Sequence, residues 1–384
     1  MFFRKKERQR LSPSSEGKVP SRTICVPGEF PTIQEALDGA RDGDTVIVRP
    51  GIYLENLDFR GKQVRLCSTD PKDRKVVRST VIDGGHRGST VYFRGGEQQG
   101  AVLSGFTITN GHGRLDGEWC GGGISILNQS GPVIEHNIVE GNCSDGDGAG
   151  IFVDRSWPTV RYNLIQANQA AGYGGGMHVG RDFIRPEDEP VVTTPKEQLE
   201  AFARLLDTMA PGQELRSPRD GLEPPEYIPS GPADLPQSTP KETPRTLVQG
   251  NTFWHNSAAA GGGLHVSDDG PIIEANAFRE NRARAGGAVM LWAGAQPVLV
   301  RNQIAHNQAC TEGGGIVTEW GSAPLLAANV ITRNSSWRGA AIMVCENSSP
   351  VIRKNRLVQN QSRDGGAVFC WPRSSPVLEG NVEE

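Results

Sequence analysis

"NTFWHNSAAAGGGLHV", residues 251–266, sets two asparagines five apart, then a glycine run, then an alternating apolar stretch. The chain repeats this pattern: "NAFRENRARAGGAVML" from 276, "NQIAHNQACTEGGGIV" from 302 and "NRLVQNQSRDGGAVFC" from 355. The first asparagine of each pair falls at 137, 163, 251, 276, 302, 329, 355 and 381, in steps of 26, 88, 25, 26, 27, 26 and 26. The second follows five later, at 142, 168, 256, 281, 307, 334 and 360. Pro132, Pro158, Pro271, Pro297, Pro324, Pro350 and Pro376 open units. A fixed internal period of this length is the mark of a solenoid.

The units have no room for a helix with an apolar stripe, and the leucine-dense frame of a leucine-rich repeat is absent. Each unit holds short runs with one or two inward apolar positions, cut by Asn and Gly. That pattern predicts an all-β parallel β-helix, one coil per unit, stacked at ~4.8 Å. The asparagines are expected at or near corners, taking the left-handed backbone themselves and bonding to the asparagine of the next coil. Glycine supplies tight corners.

Bulk composition agrees. The chain has 384 residues with 48 glycines and few aromatics, a turn-rich β composition rather than a helical one. A net charge of -4 gives no electrostatic reason to expect nucleic acid as a partner. Seven scattered cysteines show no CxxC and no metal-ligand spacing, so they read as free thiols packed mostly as small apolar groups, with no metal or other cofactor expected. No segment approaches the ~20 apolar residues of a membrane span. Residues 1–22 are basic with no following apolar stretch, which predicts a disordered tail and no signal peptide.

The opening "CVPGEFPTIQEALDGARDGDTVIVRPGIYLENLDFRGKQVRL", followed by "STVIDGG" and "LSGFTITNGHG", resembles the N-terminal cap and first coils of right-handed parallel β-helix proteins of the pectin-lyase-like superfamily. The "FWHN" and "FREN" steps also resemble repeats of polymorphic outer-membrane proteins. The resemblance covers about residues 23–384 and implies a right-handed β-helix. It also implies a secreted or cell-surface location. It implies no single chemistry, because the superfamily includes lyases, hydrolases, esterases, epimerases and non-catalytic surface proteins.

Two departures from the repeat are expected to be separate elements. "PTIQEALDGAR" carries Ile33, Ala36, Leu37 and Ala40 at helical spacing after Pro31, a capping helix over the first coil. The other end shows no such element, so it is expected either to self-associate end to end or to be completed by a partner or further sequence. The 88-residue step is one period plus 62 residues, an insertion over 181–245. It reads as a helix over 195–210, with Thr194 and Glu197 as a capping box, and a Pro-rich loop. That insertion is expected to wall a groove.

Aligning the coils on the glycine run exposes a column. The strand after it has apolar first and third positions, which should face inward. The second position reads Ser125, Phe152, His178, His265, Met290, Val317, Met343 and Phe369, too apolar for an ordinary wet surface. The fourth adds Asp154, Trp292, Glu319 and Trp371, and just beyond lie Arg155, Arg181, Asp268 and Trp320. Aromatic rings with interleaved charges suit an extended sugar chain, with Phe152, Arg155, Arg181, Trp292, Trp320 and Trp371 as ligand-binding candidates. With the insertion looped out, His178 and His265 fall in adjacent coils. They could do acid/base work with Asp154, Asp268 and Glu319, or simply form an apolar floor.

"SDGDGAG" (144–150) has the residues of a calcium loop but also those of any tight turn. His136, His255 and His306 are expected at solvated turns. Neither the paired-aspartate signature of pectin-hydrolysing β-helices nor the Asp-Pro-His-Glu signature of uronate epimerases is present. The sequence therefore favours a polysaccharide-binding or surface-presenting β-helix. The alternative is a polysaccharide lyase or glycoside hydrolase acting in a groove on the same face.

Overall fold

The computed structural model describes residues 21–113, 121–180 and 244–384. Within them the chain forms a parallel β-solenoid of about 11 turns. Every strand pairing is parallel, between strands one coil apart, in four sheets. Sheet A has twelve strands, from Thr23–Val26 to Val377–Glu379, and sheet B eleven, from Gly51–Leu54 to Val382–Glu383. Sheet C has ten, from Leu57–Asp58 to Val368–Cys370, and sheet D eight, from His112–Gly113 to Gln361–Asp364. One coil runs A, B, D, C. The opening stretch spans most of one: Thr252–Trp254 in B, Ser257–Ala260 in D, then Leu264–Ser267 in C.

The first asparagine of each pair sits between sheets A and B, the second between B and D. Both form continuous ladders. Asn302 is fully buried; its backbone N–H and Nδ2 donate to Asn329 Oδ1 at 2.9 and 3.0 Å, and Nδ2 also reaches Ile273 O at 2.9 Å. Asn276 in turn donates twice to Asn302 Oδ1, at 2.9 and 3.1 Å. The second ladder repeats the scheme through Asn281, Asn307 and Asn334.

One expectation is corrected. The asparagines do not take the left-handed backbone; the residue before each one does, as at Ala275 (φ 53), Arg301 (φ 56), Ala328 (φ 53) and Lys354 (φ 53). The corner residue must point its side chain outward. Only the next residue can aim an amide inward along the stack, where it satisfies buried backbone groups of two neighbouring coils.

The glycine run joins D to C. Gly261 has φ 62, which L side chains resist. Gly262 packs backbone against backbone: a Cβ there would meet Arg282 O and Gly287 O, each at 2.5 Å. The first and third positions of sheet C do face inward. Leu264, Val266, Val289 and Leu291 join a single core cluster with the central residues of sheets A and B, such as Ile273, Phe253 and Phe278. The last two stack at 4.6 Å, one coil apart.

Helix α1 (Ile33–Gly39) begins at Thr32, whose side chain accepts from Glu35 N–H at 3.2 Å, and Ile33, Ala36 and Leu37 enter the same core. A second helix, α2 (Arg74–Ser79), was not expected from the sequence. The stack continues across the long step: Asn163 N–H donates to Asn251 Oδ1 at 3.0 Å and Met177 pairs with Leu264. The expected helix over 195–210, with its capping box, lies outside the described residues, as do residues 1–20.

The six described cysteines are free. Most are not packed as core groups: Cys67 and Cys345 are buried, but Cys25 and Cys143 are half-buried, and Cys310 and Cys370 are exposed. Cys25 and Cys67 alternate with core residues on their sheet A strands, whereas Cys370 is in register with the core residue Val344 but sits in the last coil. Among the described residues no helix is long and apolar enough to cross a membrane.

Candidate functional site: the re-entrant face between sheets C and D

Sheet D does not continue flat into sheet C. From Gly148 onward, the glycine turn that follows a D strand lies against the second-position residue of the next C strand, as Gly261 does against His265 and Gly286 against Met290. Ala260 of sheet D forms one buried cluster with Met290, Val317 and Met343 of sheet C and with Cys345 just beyond its strand, and Trp292, Phe369 and Trp371 pack on it. The glycines let the turn sit this close: a Cβ on Gly313 would meet Val317 Cγ2 at 2.2 Å.

This geometry changes the reading of the second column. Its side chains stand outside the main core, as the alternation requires, but they are covered. Phe152, His178 and His265 are each 1% exposed, and Met290, Val317 and Met343 are buried as well. An outward column in a re-entrant corner is a second hydrophobic core.

The two histidines do meet. His178 pairs with His265 in register, the ring centroids are 5.0 Å apart, and the two Nδ1 atoms are 3.1 Å apart. They stand in a ring stack: Phe152 lies 5.2 Å from His178, and Tyr173 lies 4.7 Å from His265. Burial holds the His178 ring below its usual pKa against the pull of Asp147 and Asp154. Burial and the neighbouring His178 hold His265 well below it. With neutral rings, one Nδ1 donates and the other accepts. So enclosed, neither ring reaches a molecule lying on this face.

The carboxylates expected beside them spread along the solenoid. Asp154 pairs with Arg155 at 3.0 Å, and Asp268 sits at a left-handed corner with φ 48. Glu319 ends the strand Ile316–Thr318, four coils from Asp154 and so ~19 Å away. Burial, reinforced by the charge of Glu312, pushes the Glu319 carboxyl above its usual range. The "SDGDGAG" carboxylates are engaged in the turn and beyond it: Asp147 Oδ1 accepts Tyr173 N–H at 2.6 Å, and Asp145 lies 3.0 Å from His112.

The tryptophans are where a ligand can touch them. Trp320 is 62% exposed and lies 5.6 Å from the half-buried Trp292, whose ring also approaches Tyr173 at 6.2 Å. Trp371 is half-buried beside Phe369 at 5.9 Å. Arg155 is exposed, and Arg181 lies outside the described residues.

Sequence reasoning missed the opposite wall. Tyr173, Ala260, Ala285, Glu312, Arg338 and Asp364 stack in register along sheet D. Arg338 places its guanidinium 5.4 Å from the Trp371 ring and 5.6 Å from Phe369, and pairs with Asp364 at 2.6 Å. Trp337 is 49% exposed, with Arg363 at 5.6 Å, and shares an open depression with Cys310, Thr311, Glu312 and Arg338. Aligning the repeats on sheet D rather than on the glycines would have shown this column. His136 is not simply solvated: it is half-buried and stacks on Tyr162 at 5.4 Å, whereas His255 and His306 are exposed.

The sheet A face differs. Its charges neutralise one another: Glu135 holds Arg161 at 2.7 Å and Arg65 at 3.2 Å, and Glu274 holds Arg301.

Parallel coils, an asparagine ladder and a four-sheet cross-section lead to one assignment. The chain belongs to the right-handed β-helix family. The family described as "Right handed beta helix region" matches residues 51–182 and 241–382. No curated protein and no solved structure matches the chain. Membership of this β-helix family accords with the pectin-lyase-like resemblance of the opening coils.

Proposed function

We propose that this β-helix protein binds an extended polysaccharide along the face between sheets C and D, without cleaving it. The observation that carries the reading is the line of accessible rings Tyr173, Trp292, Trp320, Trp337 and Trp371 on a rigid surface, with Arg338 and Glu319 interleaved. Flat rings offer sugar C–H faces a large contact at small entropic cost, and the charged groups fix orientation. Helix α1 serves as the cap of the first coil, and the wall expected of the 181–245 insertion lies outside the described residues.

Replacing Trp320, Trp292 or Trp371 by Ala should weaken glycan binding by about 1–2 kcal/mol each, as lost aromatic contact does. A glycan array followed by calorimetry on its best ligand checks this. Unchanged affinity in all three variants would reject the site.

A carbohydrate-active enzyme is the second reading, and Glu319 favours it: a carboxyl that burial and the charge of Glu312 push above its usual range is a candidate acid. The binding reading expects no new reducing ends and no ultraviolet-absorbing unsaturated uronates from any bound glycan. Products that form with the wild type and vanish in Glu319→Gln would replace it with the enzyme reading.

A further inference from the structure

Near the start of sheet D, away from the aromatic face, three side chains from successive coils converge. His86 sits in the turn after the strand Thr80–Asp83, His112 in the first strand of sheet D, and Cys143 in the second. His112 and Cys143 are register partners. One ligating atom of each residue lies within 4.8 Å of the other two. The two imidazoles meet edge to face, with centroids 6.5 Å apart.

We propose that His86, His112 and Cys143 form a binding site for a zinc-like divalent transition-metal ion. Four-coordinate zinc holds nitrogen at ~2.0–2.1 Å and sulfur at ~2.3 Å, so its ligand atoms stand about 3.3–3.8 Å apart. The cluster needs to contract by only about 1 Å at its widest, and His86, exposed on a turn, has room to supply that movement. Two imidazoles and a thiolate form a borderline-soft donor set. It suits zinc, cobalt or copper and suits calcium or magnesium poorly.

A fourth group supports the assignment. Asp145 Oδ1 stands 3.0 Å from His112 Nε2. A carboxylate on a histidine ring nitrogen orients ligating imidazoles in metal sites, or joins them as a further ligand. The half-buried position of His112 and Cys143 leaves the site reachable from solvent. Further along the Cys143 column the register positions are Gln169 and Ser257, so the soft donors are confined to these first coils.

The site is independent of the aromatic face, so its test is separate from glycan binding. The full chain, stripped with a chelator, is titrated with Co²⁺ and, in competition with a chromophoric chelator, with Zn²⁺. One equivalent of Co²⁺ should produce a thiolate-to-cobalt charge-transfer band with the strong visible bands of a four-coordinate ion. C143S should abolish the charge-transfer band. H86A and H112A should each weaken Zn²⁺ binding at least tenfold, and D145N about 10- to 100-fold. C310S and C370S, which remove exposed thiols elsewhere, should leave the band intact. Circular dichroism confirms that each variant keeps its β signal. Absence of stoichiometric binding to the wild type, or a band that survives C143S, overturns the proposal.

Discussion

A single asparagine per corner carries an unusual number of bonds. Asn302 gives or accepts six hydrogen bonds with groups on four other residues, all in a buried site. Replacing it with Leu removes the amide and leaves the Asn276 N–H and the Ile273 carbonyl short of partners. The expected loss is about 1–3 kcal/mol, the cost of unsatisfied buried groups set against added apolar volume. Chemical denaturation of Asn302→Leu measures it, and an unaltered midpoint would deny the ladder its energetic role. The neighbouring Arg301, in the left-handed corner, carries the strain that frees Asn302 to turn inward.

At the scale of the element, the ring stack from Phe152 through His178 and His265 to Tyr173 binds consecutive C strands to the D-sheet turn that covers them. Its histidines have pKa values below the ordinary 6.5 because the site is buried. Above about pH 6.5 neither the folded nor the unfolded chain protonates them. As the pH falls below that value the unfolded chain takes up protons that the folded one refuses, so stability declines. The slope is at most ~1.4 kcal/mol per pH unit for each ring and fades once the folded rings titrate. The melting temperature should therefore drop between pH 7 and pH 5, and the His178→Phe/His265→Phe variant should show a shallower decline. An equal decline in that variant would place the titrating groups elsewhere.

Across the whole molecule, identical coils share one weakness. A parallel sheet that meets no further strand presents open backbone edges. The last coil exposes Leu378 at 54% and Val382 at 50%. These apolar side chains should be covered by a second copy of the chain, by a partner or by further sequence; if a second copy covers them, Leu378→Lys with Val382→Lys should reduce the association. Sedimentation over a range of concentrations reads both states; a wild type that stays monomeric at high concentration rules the contact out. The solenoid also places residues 88 apart in adjacent coils, as at Asn163 and Asn251, so the long insertion leaves the stack unbroken.

The amino-acid sequence by itself determined the coil. Its period, paired asparagines, glycine turn and inward first and third positions are local signals, because each coil contacts mainly its neighbours and equivalent residues stack. The sequence also placed His178 beside His265 and set Trp292 and Trp371 in one column. Only the tertiary structure decided what covers what. Burial of the second column depends on the angle at which sheet D folds back on sheet C, and no alternation pattern encodes an angle between sheets. The same cause hid Tyr173, Trp337 and Arg338, whose partners lie across that corner rather than along the chain. The grouping of His86, His112 and Cys143 was invisible for a related reason. The three sit 26 and 31 residues apart, with no short ligand spacing, and become neighbours only when three coils stack.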